Sequence, residues 1–187
     1  KAAQATNKPA QKTVSEKADK ANKEKKAVKK AVTKEQKPAA RRNILKNGNF
    51  KEWEGAQLKG WTFRPATRIS KVEQTPGNVD IMLKPDAKDN TIMVIPVNQE
   101  LAGKTLTVTV KGKSSDPGFL GFRFEGVAGG KEFAEKYNHP GNNEWVNMSR
   151  TFTLPKDYQK GSGELRIFLR DGAKSPAYIE NASIYVK

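Results

Sequence analysis

The stretch Thr105-Leu106-Thr107-Val108-Thr109-Val110-Lys111-Gly112 alternates apolar and polar residues without a break. A period of two sends successive side chains to opposite faces of a strand and does not fit a helix. Leu106, Val108 and Val110 are expected to face a core, and Thr105, Thr107, Thr109 and Lys111 the other side. β-branched Val and Thr suit a half-buried pleated surface.

The same pattern extends outward in both directions. Over Phe119–Gly126, Leu120, Phe122 and Phe124 read as core, leaving Phe119, Gly121, Arg123 and Glu125 on the opposite face. Over Glu164–Arg170, Leu165, Ile167 and Leu169 read as core, leaving Arg166, Phe168 and Arg170 outside. Further strands are expected at Trp61–Arg64, Ile69–Gln74, Val79–Lys84, Thr91–Val97, Val146–Leu154 and Ala177–Val186. Between them lie turn chemistries such as Thr75-Pro76-Gly77-Asn78, Asp116-Pro117-Gly118, Pro140-Gly141-Asn142-Asn143 and Lys160-Gly161-Ser162-Gly163. Pro fixes φ there, and Gly or Asn accepts positive φ. Short strands at regular spacing predict an all-β sandwich or barrel. Lys131–Lys136 could add one helical turn. Glu125–Trp145 is the longest expected stretch without a strand, and long loops often carry binding residues.

Residues 1–42 differ in kind. All fifteen aromatics (eight Phe, three Trp, four Tyr) lie after Arg42. Residues 1–42 hold 14 Lys or Arg against 4 Asp or Glu, a net charge of +10; residues 43–187 hold 21 against 16, a net of +5. A Lys/Ala segment without aromatics cannot bury enough apolar surface to offset its ordering entropy. A disordered basic tail and linker over 1–42 is therefore expected, with a transient helix between Thr13 and Gln36, and a folded domain over 43–187. Such a tail attracts anionic polymers through salt-sensitive contacts; the alternative is a solubilising spacer.

Several function classes are excluded or disfavoured. The chain has no Cys, so disulfides, thiolate catalysis and Cys-based metal sites are ruled out. Its one His, His139, lies in the turn-like run Tyr137-Asn138-His139-Pro140-Gly141, with no nucleophile elbow anywhere in the sequence. No apolar run approaches the ~20 residues that span a bilayer. The chain begins with Lys rather than Met, which fits either a removed secretory signal peptide or a trimmed start.

The face opposite the core gives the first functional hint. Phe119 and Phe168 stand with Arg123, Arg166, Arg170 and Glu125. Aromatic rings offer flat CH-binding surfaces, and Arg and carboxylate groups pair with hydroxyls, which is the chemistry of sugar recognition. The alternative is that a loop covers the rings. Tyr137 and Trp145 in the long loop are the second candidate location.

Two ends of the domain resemble a family. Asn43-Ile44-Leu45-Lys46-Asn47-Gly48-Asn49-Phe50, with the later Gly60-Trp61, resembles the opening of carbohydrate-binding modules with a galactose-binding-like jelly-roll fold. Ala177-Tyr178-Ile179-Glu180-Asn181-Ala182-Ser183-Ile184 resembles their last strand, and the run from Trp145 through Phe152-Thr153-Leu154-Pro155 a strand between. The resemblance implies a two-sheet jelly-roll sandwich with Trp61 in the core. It also implies a calcium site, here Asn49, Glu52 and Glu180. Lys51 stands where the family's Glu usually ligates, so a Lys51–Glu180 ion pair is the competing occupant; hard cations want several oxygen ligands.

The function expected is non-catalytic carbohydrate binding, with a polysaccharide or glycan as partner, no catalytic residues, and at most a structural Ca2+ as cofactor. The setting expected is a secreted, cell-surface or periplasmic protein of bacterial type. The alternatives are a protein-interaction or structural module of an extracellular or envelope assembly, and a tail-driven polyanion or nucleic-acid binder. Fold alone does not decide among them.

Overall fold

The computed structural model describes residues 42–75 and 77–187. The expected basic tail, Arg42 apart, lies outside the described residues.

Among the described residues twelve strands follow one another: β1 (Trp53–Glu54), β2 (Gln57–Leu58), β3 (Thr62–Arg64), β4 (Ile69–Thr75), β5 (Asn78–Leu83), β6 (Thr91–Val97), β7 (Thr105–Lys113), β8 (Leu120–Ala128), β9 (Lys131–Asn138), β10 (Trp145–Thr153), β11 (Gly163–Leu169) and β12 (Ala177–Val186). A 3-10 turn, Ala66–Arg68, precedes β4. One five-stranded sheet runs β10-β7-β12-β5-β4, called the back sheet here; the front sheet runs β3-β6-β11-β8-β9. Neighbours are antiparallel throughout, and the two sheets make a jelly-roll sandwich.

The alternation in the sequence is the burial pattern of the strands. Leu106, Val108 and Val110 of β7 and Leu165, Ile167 and Leu169 of β11 are buried, as are Leu120, Phe122 and Phe124 of β8. Each such side chain contributes about 1.5–3 kcal/mol on burial. Trp61 is buried as expected, edge-on to Phe50 at 5.5 Å.

The opening motif does structural work around Asn47. Its side-chain amide donates to the carbonyls of Glu52 (2.9 Å) and Lys59 (3.1 Å), and its Oδ1 accepts from the Glu52 N–H. Gly48 lies against β12: the Ala182 N–H donates to its carbonyl at 2.7 Å, and a Cβ on Gly48 would fall 2.1 Å from the Ala182 oxygen. Only glycine permits that approach. β12 itself carries a bulge between Ile179 and Asn181. The extra residue shifts its buried set from Ala177 and Ile179 to Ala182 and Ile184.

One region departs from the sequence reading. The stretch expected as a long loop between Glu125 and Trp145 contains β9, so Lys131–Lys136 is strand and not a helical turn. β8 and β9 form a hairpin with Ala128 opposite Lys131, joined by Gly129 and Gly130. Both glycines have positive φ, 55° and 74°, which a two-residue hairpin turn demands. The charged residues of β9 belong to an edge strand, where charge guards against further pairing. The ribbon β1–β2 was also not foreseen.

Candidate functional site

The outward face of the front sheet is set by strand register. Arg166 of β11 lies opposite Arg123 of β8, which lies opposite Lys136 of β9. One step along, Glu164 lies opposite Glu125, and Glu125 opposite Ala134. One step the other way, Phe168 lies opposite Gly121, with Ile92 of β6 on its other side. The Arg166 and Phe168 rows form the floor of a cleft of about 490 Å³, lined by Ile92, Arg123, Lys136, Arg166, Phe168 and Arg170 together with Asn90 and Ala134. That volume is in the range of ligand sites. A smaller recess of about 190 Å³ adjoins it, lined by Glu125, Glu132, Ser162 and Glu164; Arg166 borders both.

Charge is tightly arranged here. Arg166 sits 2.6 Å from one oxygen of Glu125, and the Arg123 Nε sits 2.6 Å from the other. Glu164 also pairs closely with Arg166. Burial, followed by contact with Glu164, pushes the Glu125 carboxyl above its ordinary value, against the pull of both arginines. Burial acts on Glu164 in the same sense, but its bonds to Glu125 and Arg166 outweigh it and hold that carboxyl low. The two carboxylates are thus engaged with each other and with arginine.

Phe168 forms the apolar part of the floor. A Cβ added to Gly121 would lie 2.9 Å from the Phe168 ring, so the ring occupies the space that glycine leaves free. The Arg170 guanidinium lies 5.7 Å from the centre of the same ring, within cation–π range. The cleft therefore offers a half-buried ring beside several forked or ammonium donors.

Of the residues expected to bind sugar, Arg123, Arg166 and Phe168 come together in this cleft. Phe119 does not. It precedes β8, in the turn after Gly118 (φ 76°), and packs half-buried against the core. Tyr137 is on the front sheet but points to the opposite side, stacked on Phe122 with ring centres 6.3 Å apart and planes 10° apart. Trp145 starts β10 in the back sheet, opposite Lys113, and carries the Lys111 ammonium 5.8 Å from its ring centre. Lys136 was missed because its strand was read as loop. The Gly129-Gly130 pair was the available signal.

The acidic residues expected to hold calcium have other partners. Glu180 pairs with Lys111 and not with Lys51. Glu52 is exposed and lies 4.0 Å from Lys59, and Asn49 is exposed. Among the described residues no three acidic or histidine side chains group together as metal ligands. The ammonium of Lys111 serves as the local cation, facing Glu180 and exerting its field on the buried Asp80. His139 is likewise structural: it is buried, its Nδ1 accepts from the Gly141 N–H at 2.9 Å, and its Nε2 lies 3.1 Å from the Glu144 carbonyl. Among the described residues no helix is long and apolar enough to cross a membrane.

No family model matches the chain, and no curated protein matches its sequence. Solved structures do match its fold. A family 16 carbohydrate-binding module matches with TM-score 0.58 at 16% identity, over 76% of this chain and 99% of the module. The CBM22-1 xylan-binding domain from Paenibacillus barcinonensis matches with TM-score 0.57 at 17% identity, over 79% of this chain and 96% of that domain. The enzymatically active domain of bacteriophage CBA120 tailspike protein 4 matches with TM-score 0.60 at 12% identity, over 78% of this chain but only 21% of the tailspike chain. The jelly-roll sandwich is shared with carbohydrate-binding modules.

Proposed function

We propose that residues 43–187 are a non-catalytic carbohydrate-binding domain whose ligand lies in the front-sheet cleft. The observation that carries this reading is the Phe168 ring set beside Arg123, Arg166 and Arg170 in one cleft. Sugar CH faces stack on rings, and charge-assisted donors hold hydroxyl and acidic oxygens. The likeness of fold to a xylan-binding domain adds support. Glu125 and Glu164 are bound to arginines, which suits orienting a ligand better than attacking one. The protein is proposed to be secreted or surface-exposed, with residues 1–42 adding salt-sensitive attraction to anionic polymers.

The test is a glycan array with the full chain, followed by calorimetric titration of a hit against wild type and the Arg123→Ala/Arg166→Ala double variant, with folding checked by circular dichroism. Affinity should fall by about 1–3 kcal/mol as charge-assisted hydrogen bonds are lost. Equal affinities would remove the cleft from the site. An array without any hit would favour a protein-interaction module of an extracellular or envelope assembly. Release of shortened oligosaccharide on incubation would overturn the non-catalytic reading.

A further inference from the structure

Three cations stand shoulder to shoulder on the front sheet: Lys136 opposite Arg123, and Arg123 opposite Arg166. Like charges directly opposite on neighbouring strands destabilise a sheet. Arg170 adds a fourth positive group to the same cleft. Of the four, Arg123 and Arg166 are paired with Glu125, and Arg166 also with Glu164. Among the described residues neither Lys136 nor Arg170 lies in an ion pair. Over the two adjoining recesses these four cations stand against Glu125, Glu132 and Glu164, a local charge of +1, and the larger recess itself is lined by cations and by no carboxylate.

The inventory of hydrogen-bonding groups is equally one-sided. A neutral sugar hydroxyl both donates and accepts, so a wall recognising it needs acceptors as well as donors. Lys and Arg side chains only donate. Asn90 is the one polar lining residue of the larger recess with an acceptor oxygen, and that oxygen already takes the Asp171 N–H at 3.0 Å. A ring of donors around Phe168 and Ile92 is matched by a group that only accepts. Guanidinium forks fit a carboxylate with two parallel bonds. The adjoining recess is the reverse: Glu132 offers acceptors, and Glu125, Glu164 and Ser162 add lone pairs beyond those taken by Arg123, Arg166 and the Val127 N–H. From Glu164 to Arg170 the two recesses follow β11 for about 20 Å, at roughly 3.3 Å per residue, long enough for more than one sugar ring.

We infer that the cleft selects an acidic saccharide, with a uronate carboxylate held among Lys136, Arg123, Arg166 and Arg170 over Phe168, and a neutral ring directed to the Glu132–Ser162 end. This rests on the carbohydrate reading and specifies its ligand class. The repulsion along the cationic row is relieved when the carboxylate binds.

The probes are uronate-bearing oligosaccharides, each arrayed beside its carboxyl-reduced counterpart and titrated with the full chain and with the Lys136→Gln/Arg170→Gln variant. Both replaced side chains are exposed, so the variant should melt like wild type, and it retains residues 1–42. Wild type should favour an acidic probe over its reduced form by more than tenfold, and the variant should lose most of that preference. Equal binding of acidic and reduced forms by wild type would overturn the acidic selection while leaving carbohydrate binding in place. An acid preference unchanged in the variant would show that Lys136 and Arg170 do not hold the carboxylate and would overturn the proposal. No binding to any sugar, acidic or neutral, would overturn the carbohydrate reading itself.

Discussion

Phe168 lies across the backbone of Gly121, its registered neighbour on β8. The place a methyl group would take on Gly121 is 2.9 Å from the ring, 2.6 Å from the Tyr137 carbonyl oxygen and 2.7 Å from the Asn138 side-chain oxygen. Glycine at this position sets how deeply the aromatic floor of the cleft can sit.

Gly121→Ala should therefore act twice. Overpacking against backbone should destabilise the domain by about 1–3 kcal/mol, and displacement of the ring should weaken ligand binding. Phe168→Ala should weaken binding with a smaller loss of stability, since the ring is only half-buried. Denaturant midpoints together with titration of one glycan ligand separate the two effects. A Gly121→Ala protein with wild-type midpoint and affinity would show that the contact constrains nothing.

His139 should make the fold acid-sensitive. Its buried ring receives the Gly141 N–H on Nδ1, so protonation would set donor against donor. Burial lowers its folded pKa, although contacts with the Glu144 and Gly112 backbone oppose the shift. The unfolded chain then binds more protons than the folded one below the ordinary value near 6.5. Stability from this group is full above about pH 6.5 and falls as the pH drops toward the folded pKa. Urea unfolding at pH 7.5 and 5.5 should show wild type weakening at the lower pH, and His139→Gln should flatten that difference. A pH dependence identical in both proteins would assign the effect to carboxylates.

On the back sheet Lys111 faces Glu180 and lies near Asp80, whose carboxyl is pushed upward by burial first and by Glu180 second. Lys111→Met should cost about 1–3 kcal/mol at pH 7, the scale for leaving a buried polar group without its partner. The penalty should shrink at pH 4, as the Asp80 carboxyl, held above its ordinary value, takes up a proton. Chemical denaturation of the pair of proteins at the two pH values measures it; a penalty equal at both would show that the ammonium is not compensating charge.

Residues 1–42 should bring charge and little stability. Removing them is expected to shift the melting temperature by less than about 5 °C, the equivalent of roughly 1 kcal/mol at this domain size. Binding of the full chain to an anionic polymer that carries no sugar should weaken steeply between 50 and 200 mM salt, on the order of what counterion release gives, and the shortened chain should show little of it. Binding that persists in high salt would locate the polymer in the folded domain.

The fold was legible wherever one face of a strand meets the core. In β7, β8 and β11 three successive alternate positions hold large apolar groups, and all of these are buried. β9 was not legible because it is an edge strand with one partner: Phe133 and Tyr137 alone mark its inward side, and Lys131, Glu132, Glu135 and Lys136 read as solvent-exposed chain. That single omission hid Lys136 from the site and left Tyr137 looking like a loop aromatic. Phe119 failed for a different reason. Periodicity extrapolated one residue past the start of β8 cannot see the turn that swings its ring inward. Arg123, Arg166 and Phe168 were found together because alternation on two strands fixed their side of the sheet, and the antiparallel register then brought them into one row system.

The position of β9 has a consequence for how the cleft behaves. β9 is hydrogen-bonded to β8 alone, so one bank of the cleft is carried by the outermost strand while the floor is carried by interior ones. Beyond that ladder, the strand is tethered by the two-glycine turn, the Phe133 and Tyr137 contacts and the 3.0 Å pair between Glu135 and Arg150. A bound chain that reaches from Phe168 to Lys136 would act as a clasp on that free margin, slowing deuterium uptake along β9 while leaving β11 unchanged.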